Sequence, residues 1–297
     1  MSHLLLSKNY VKKVKKYLVP PWIFGQLLKK TFNGYYTFPT LFRRCVLGET
    51  SIVIVATAHK VGSTWLYDML RDIGTYANGL NFIPEEFQNI NGLLLIDPEV
   101  FEYLKMLRGY FIFKSHSDPL SVEFAINNSK IITMYRDPRD VLISNIFYLS
   151  FLDEDKGGQG DGFSRLSETE RILKLISKGD YILTKLENWF RTPFAYKVSY
   201  EDLKIHPIDT LLKISKYLEI STTNNAVERV VMKHSFEAKS GRKPGQEKKD
   251  SFFRKGVVGD WRNYFNKECV IAYKNEKERR WNRLLVEMGY ESSLDWD

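Results

Sequence analysis

The chain has 297 residues, 43% of them apolar and 27% charged, which suits one large α/β domain or two ordinary ones and excludes a disordered, collagen-like or low-complexity protein. Two cysteines, Cys45 and Cys269, build neither a disulfide framework nor a four-thiolate zinc site, so a reducing cytoplasm is the expected compartment. The formal net charge of +8 resides in residues 1–48, which hold nine Lys or Arg and no acid; the remainder is nearly balanced, which argues against nucleic-acid binding by the body of the protein.

Within residues 1–48, Tyr10, Val11, Val14, Tyr17 and Leu18 recur at helical spacing between Lys12, Lys13, Lys15 and Lys16. The expectation is that this basic segment docks its apolar stripe on a domain spanning 49–297. Peripheral membrane contact is the less favoured reading. The charge-free run Tyr17–Leu28 is interrupted by Pro20-Pro21 and is too short to span a bilayer. It also lacks the cleavage site of a signal peptide.

Ser51–Thr57 (SIVIVAT) is a β-branched run typical of a strand buried on both faces. A short loop, Ala58–Thr64, leads into Trp65, Leu66, Met69, Leu70 and Ile73 on one helical face. Tyr110–Lys114 and Ile131–Tyr135 read as two further buried strands. After the second, Asp137 is a good N-cap, Pro138 fits the first helical position, and Asp140 places a carboxylate in the first turn. A helix is expected over Glu168–Phe190 with a break near Gly179, then a strand over Phe194–Tyr200. Ile208, Leu211, Leu212, Ser215 and Leu218 return to helical period. Alternating strands and helices predict a single three-layer α/β domain. Its central parallel sheet would carry a P-loop-like strand–loop–helix phosphate site. Ligands in such sheets bind where strands end and helices begin.

In HKVGSTW (His59–Trp65), Gly62 permits a tight turn and the helix start presents unpaired N–H groups. Lys60 adds a full charge, and Ser63 and Thr64 add hydroxyls, a set that suits a phosphate or sulfate. It is not a Walker A sequence, because Lys60 precedes Gly62 and the first glycine is missing. A plain strand-to-helix turn is the alternative. Lys114-Ser115-His116 ends the next strand with a cation and an imidazole, and with no acid to hold Mg²⁺. Taken alone, His116 reads more readily as an ordinary surface or capping histidine than as a base. Arg136 and Ser144 make a second phosphate site, unless Arg136 merely pairs with Asp137 or Asp140. Tyr200 ends a strand as a flank for a flat base or as ordinary core. Arg254-Lys255-Gly256 sits in a basic, glycine-bearing loop ahead of Trp261 and suits closure over an anion.

Three ordered motifs make a family resemblance specific. HKVGSTWL resembles the 5′-phosphosulfate loop of cytosolic-type sulfotransferases, commonly PKSGTTW. RDPRDVLIS resembles their 3′-phosphate segment, and FFRKGVVGDWRNYF their RKGxxGDWKxxF signature; FKSH and VSYEDL fall in the same order. The resemblance runs from Ser51 to Phe265 and implies 3′-phosphoadenosine 5′-phosphosulfate (PAPS) as donor, with no metal. It implies donor contacts from Lys60, Gly62, Ser63, Thr64, Trp65, Arg136, Ser144, Tyr200, Phe236, Arg254, Lys255 and Gly256. It makes His116 the catalytic base and groups Lys60, Lys114 and Ser144 with it. His59 departs from the family's proline, Val61 from its serine, and His234 from the threonine of TSF, which is expected to weaken the adenine contact. The family's dimerisation motif has no counterpart in Asn266–Cys269.

The expected activity is sulfuryl transfer to a hydroxyl or nitrogen of a small-molecule acceptor. The rival readings are a P-loop-type small-molecule kinase using ATP–Mg²⁺ and a non-catalytic anion- or membrane-binding protein. Phe82, Phe147 and Tyr148 are candidates for an apolar acceptor wall. The acidic residues Glu85, Glu86, Asp153, Glu154, Asp155 and Asp161 leave a cationic acceptor as the sharper alternative.

Overall fold

The computed structural model describes residues 51–82, 109–122, 129–155, 162–178 and 180–296. The basic segment 1–48, Gly179, Glu85, Glu86 and Asp161 lie outside the described residues, as do the side chains of Asp153, Glu154 and Asp155.

The β-branched run near the start forms β1 (Ser51–Ala56), the middle strand of five. With β2 (Ala77–Asn78), β3 (Tyr110–Ser115), β4 (Lys130–Tyr135) and β5 (Tyr196–Ser199) it builds a wholly parallel sheet of order β2-β3-β1-β4-β5. Successive side chains of β1 point to opposite faces, and both faces are covered. Val53 and Val55 pack into the larger core with Ile112, Ile132 and Leu66, while Ile52 and Ile54 pack with Phe111, Phe113 and Trp189 on the other side. β2 was not anticipated, because two residues carry no periodic signal.

After β1 comes α1 (Ser63–Gly74), whose Leu66, Met69, Leu70 and Ile73 form its buried face. After β4 comes α2 (Pro138–Asp155). The region expected as one helix with a break consists of α3 (Glu168–Lys178) and α4 (Asp180–Arg191). The strand expected to reach Tyr200 stops one residue earlier. The Ser199 hydroxyl accepts from the Asp202 amide, and Tyr200 opens α5 (Tyr200–Ile205). That cap outweighs the strand propensity of the tyrosine. The helical repeat that follows is α6 (Pro207–Tyr217), then α7 (Asn224–Lys233) and α8 (Phe236–Ser240); α9 (Lys267–Asn275) and α10 (Arg280–Glu287) close the chain.

The start of α2 joins distant parts of the chain. The Asp137 carboxylate accepts from the Arg139 amide at 2.9 Å, the geometry of an N-cap. The Arg139 side chain, 1% exposed, donates to Asp137 and Glu291 and lies 3.7 Å from the Trp261 ring centroid and 4.5 Å from that of Trp296. Asp140 does more than neutralise the helix end. Its oxygens accept from the amides of Gly259 (2.8 Å) and Trp261 (2.9 Å), clamping the segment after the basic loop onto the end of β4.

Truncating Arg139 leaves the buried Asp137 carboxylate and the partly buried Glu291 without their cation, which costs about 3–5 kcal/mol. Arg139→Ala is therefore expected to lower the unfolding free energy in urea by that amount; a loss below about 1 kcal/mol would show that the buried network contributes no more than a surface pair.

Candidate active site

The loop after β1 takes its shape from two left-handed residues, Lys60 (φ 65°) and Gly62 (φ 97°). At Gly62 a side chain is excluded twice: by the backbone conformation, and because a Cβ would stand 2.8 Å from the Tyr200 ring and 3.2 Å from the Met134 sulfur. α1 then begins at Ser63 with no side-chain cap and no acid in its first turn. Its leading N–H groups and positive dipole end are free to serve an anion.

These groups open onto a pocket of about 310 Å³ at the carboxyl ends of β1, β3 and β4. Lys60, Lys114, Arg136, Lys204, Arg254 and Lys255 line it, and among the described residues no Asp or Glu does. Lys60 shows what that crowding does. Burial first, then the charges of Arg136, Lys114 and Arg254, lower its pKa to about 7. Its ammonium lies 4.0 Å from the Tyr148 ring centroid and 5.5 Å from that of Phe252. Lys114, also held below the usual lysine range by burial, donates to the Thr64 hydroxyl at 2.7 Å.

Arg136 leaves β4 beneath the Tyr200 ring, 4.2 Å from its centroid, and donates to Asp140 and the Val257 carbonyl at 3.3 Å each. The pairing with Asp140 and the position in the pocket thus coexist. Its Nε is buried with no partner among the described residues, a donor still available for another oxygen. Ser144 lines the same wall two turns into α2. Arg254 is paired with Glu247 and Asp260, and Lys255 donates to Asp260 at 2.6 Å. Gly256 (φ 65°) lets the chain pass the Phe236 ring, which a Cβ would approach to 2.2 Å. Trp65 and Tyr200 meet edge to face at 5.8 Å, and the Trp65 indole donates to the His234 carbonyl at 2.8 Å. With Phe236 these rings suit a flat heterocycle.

His116 follows β3. Its Nδ1 lies 2.8 Å from the Thr57 carbonyl oxygen, which can only accept, so Nδ1 carries the proton and Nε2 keeps its lone pair. Burial first, then the His59 ring, hold its pKa down to about 3. The imidazole is therefore neutral at physiological pH. Lys185 of α4 donates to the His116 carbonyl at 2.6 Å and to the Tyr181 hydroxyl at 2.7 Å.

The fourteen residues expected from the sequence to be catalytic or donor-binding all line this one pocket. Tyr148, expected in an acceptor wall, lines the pocket as well. Lys204 was not singled out, although it follows Tyr200 by one helical turn and so shares a helix face with it. One of the expected acceptor aromatics is corrected. Phe147 is 5% exposed and packs on Tyr264 under the Arg254 guanidinium, so it supports the cation instead of lining the pocket. The side chain of Phe82 lies outside the described residues. The His234 ring is buried and turned to Asp72 at 2.7 Å, while its carbonyl supports Trp65.

A parallel α/β sheet with a glycine-bearing strand–loop–helix, a cation-lined pocket and a neutral imidazole defines a group-transfer enzyme that handles a polyanion. Residues 50–276 match the sulfotransferase domain family, and the chain belongs to that family. Mouse (Mus musculus) sulfotransferase 6B1 is 27% identical over 255 residues, covering 82% of this chain and 80% of its own. The fold is shared with mouse sulfotransferase SULT7A1 complexed with PAP, at TM-score 0.53 and 20% identity, over 82% of this chain and 89% of that one. It is also shared with retinol dehydratase in complex with androsterone and inactive cofactor PAP, at TM-score 0.52 and 20% identity, over 84% and 85%.

Because Lys60 loses its proton near pH 7, a bound anion, which favours the charged form, must return that proton above pH 7 and need not below it. Calorimetry of inorganic pyrophosphate binding in buffers of different ionisation enthalpy is expected to show uptake approaching one proton at pH 8, little at pH 6, and falling affinity as pH rises. Equal uptake at both values would contradict this.

Proposed function

We propose that this protein transfers a sulfuryl group from 3′-phosphoadenosine 5′-phosphosulfate to a hydroxyl or nitrogen of a small-molecule acceptor, with His116 as general base. The observation that carries the reading is the meeting, in one pocket, of six Lys or Arg side chains, no described carboxylate and an imidazole whose Nε2 is free to accept a proton. The residues fit the donor. Lys60, Gly62, Ser63, Thr64 and the first-turn amides of α1 suit the 5′-phosphosulfate. Arg136, Ser144, Arg254, Lys255 and Gly256 suit the 3′-phosphate, and Trp65, Tyr200 and Phe236 suit the adenine.

The bound donor supplies an activated sulfur whose bond to the phosphate oxygen can break. The protein's part is electrostatic and positional. His116 Nε2 takes the acceptor proton as the new bond to sulfur forms. The electron pair of the breaking S–O bond goes to the phosphate oxygen, where Lys60, Thr64 and the α1 amides stabilise it. Lys114, linked to Thr64, adds positive charge on the same side. Ser144 is grouped with the catalytic residues because it holds the far end of the donor in line.

A kinase reading gains no support, since no carboxylate among the described residues lines the pocket to hold Mg²⁺. Nor does the cationic acceptor: the lysines whose charge bears on His116 are Lys114 and Lys185, and the acidic residues that suggested it are not described. No helix among the described residues is long and apolar enough to cross a membrane. With the cysteine usage of the chain, this supports placing the enzyme in the cytoplasm.

Two substitutions test the assignments. Arg136→Ala should weaken binding of PAP by about 1.5–3 kcal/mol, the value of a charged hydrogen bond, and leave 5′-AMP nearly unaffected; equal losses in titration calorimetry would remove Arg136 from the 3′-phosphate. His116→Gln should lower kcat about 10²- to 10⁴-fold, measured with radiolabelled donor on an acceptor found by screening, while PAP affinity stays within about twofold. Retained turnover across the pH range would exclude His116 as the base.

A further inference from the structure

His59 stands where the resembling motif has a proline, and it lines the same pocket as His116. The two ring centroids are 4.1 Å apart with planes inclined by 32°. At that separation the two rings are in contact, tilted and not parallel. Thr57 holds one edge of the His116 ring through Nδ1, Lys185 holds its carbonyl, and His59 covers a face. We propose that His59 is a positioning residue for the base: it fixes the plane of the His116 ring and restricts the pair to a single proton. The proposal rests on the reading of His116 as general base.

The charges facing the pair come from three elements. Lys60 lies on the loop of His59 itself, Lys114 at the end of β3, and Lys185 on α4, where Asp118 is 3.7 Å from the Lys185 ammonium and 52% exposed. The Tyr181 ring lies 6.4 Å from His59. Burial first, then Lys185, Lys60 and Lys114, bring His59 down to about 4, so it is neutral when His116 takes the acceptor's proton near neutral pH. In an acid titration His59 is charged first and opposes protonation of His116. A neutral ring face beneath a forming imidazolium is attractive, whereas two imidazolium rings at this distance repel. The pair titrates as a unit in which the second protonation is penalised. A proline offers neither the flat polarisable face nor the penalty. The result is a base confined to one tautomer and one orientation, and one that releases its proton readily before the next turnover.

Nitrogen-15 and carbon-13 NMR of histidine-labelled full-length protein reads both parts, with the His116 signals assigned from His116→Gln. In His59→Phe the flat wall remains and the like charge is gone. The Nδ1–H tautomer of His116 is therefore expected to persist while its titration moves up by half a pH unit or more. In His59→Ala the same upward move is expected, and the unsupported ring turns away from the Thr57 carbonyl that fixes its tautomer, so the tautomers average. An unmoved His116 titration in His59→Phe overturns the proposal, as does a fixed tautomer in His59→Ala. PAP should raise the melting temperature of parent and variants alike. A parent chain that does not respond to PAP overturns the sulfotransfer reading and this proposal with it, whereas a PAP response with unmoved His116 signals overturns the His59 assignment alone.

Discussion

Lysine and arginine side chains repel one another strongly once water no longer separates them. The surroundings of this pocket are arranged by that repulsion. The carboxylates that offset it stand behind the wall: Asp140, with a fully buried side chain, receives Arg136, and Asp260, 1% exposed, receives Arg254 and Lys255. Glu247 takes the remaining arm of Arg254. Lys60 has no carboxylate partner among the described residues and faces the rings of Tyr148 and Phe252. The loss of proton affinity therefore concentrates on it. An anion placed there would relieve that repulsion.

The same acids hold the fold together. Asp140 takes two amides from the Gly259–Trp261 segment in addition to Arg136, so the loop that brings Arg254 and Lys255 is fastened to the strand end that brings Arg136. Glu201 accepts from the Asp137 amide and from the Tyr290 hydroxyl, and Arg139 reaches Glu291, which fastens the C-terminal segment to the same turn. The basic loop itself is braced from within, since Arg242 donates to the carbonyls of Gln246, Phe253 and Arg254. Positioned charge is useful to transfer chemistry only when it does not relax away from the developing charge, and this network supplies that rigidity.

The proton chemistry depends on a different economy of groups. His116 is short of proton affinity because it is buried among cations and beside a second imidazole. Its accepting nitrogen is defined by a backbone carbonyl instead of the carboxylate often found behind a catalytic histidine. A carboxylate would raise the affinity for a proton; a carbonyl fixes the tautomer with less effect on basicity.

Much of the architecture was legible locally. Ser51–Ala56, Tyr110–Ser115 and Lys130–Tyr135 are β-branched or aromatic runs that only a sheet covered on both faces can bury, and the helix starts after β1 and β4 announce themselves through Gly62 and Asp137-Pro138. Lys60, Lys114 and Arg136 were legible for the same reason, since each sits at a strand end or in the turn beyond it. What local sequence could not supply was anything resting on a contact between distant segments. The two residues of β2 are ordered by β3 alone. Tyr200 belongs to a helix because Ser199 caps it, and Asp140 answers amides more than a hundred residues away. The pairing of His59 with His116 has the same origin. β1 and β3 run parallel with Ala56 opposite Ser115, so the loops that leave them emerge side by side at one edge. The chain specified both histidines, but only the register of the sheet set their rings in contact.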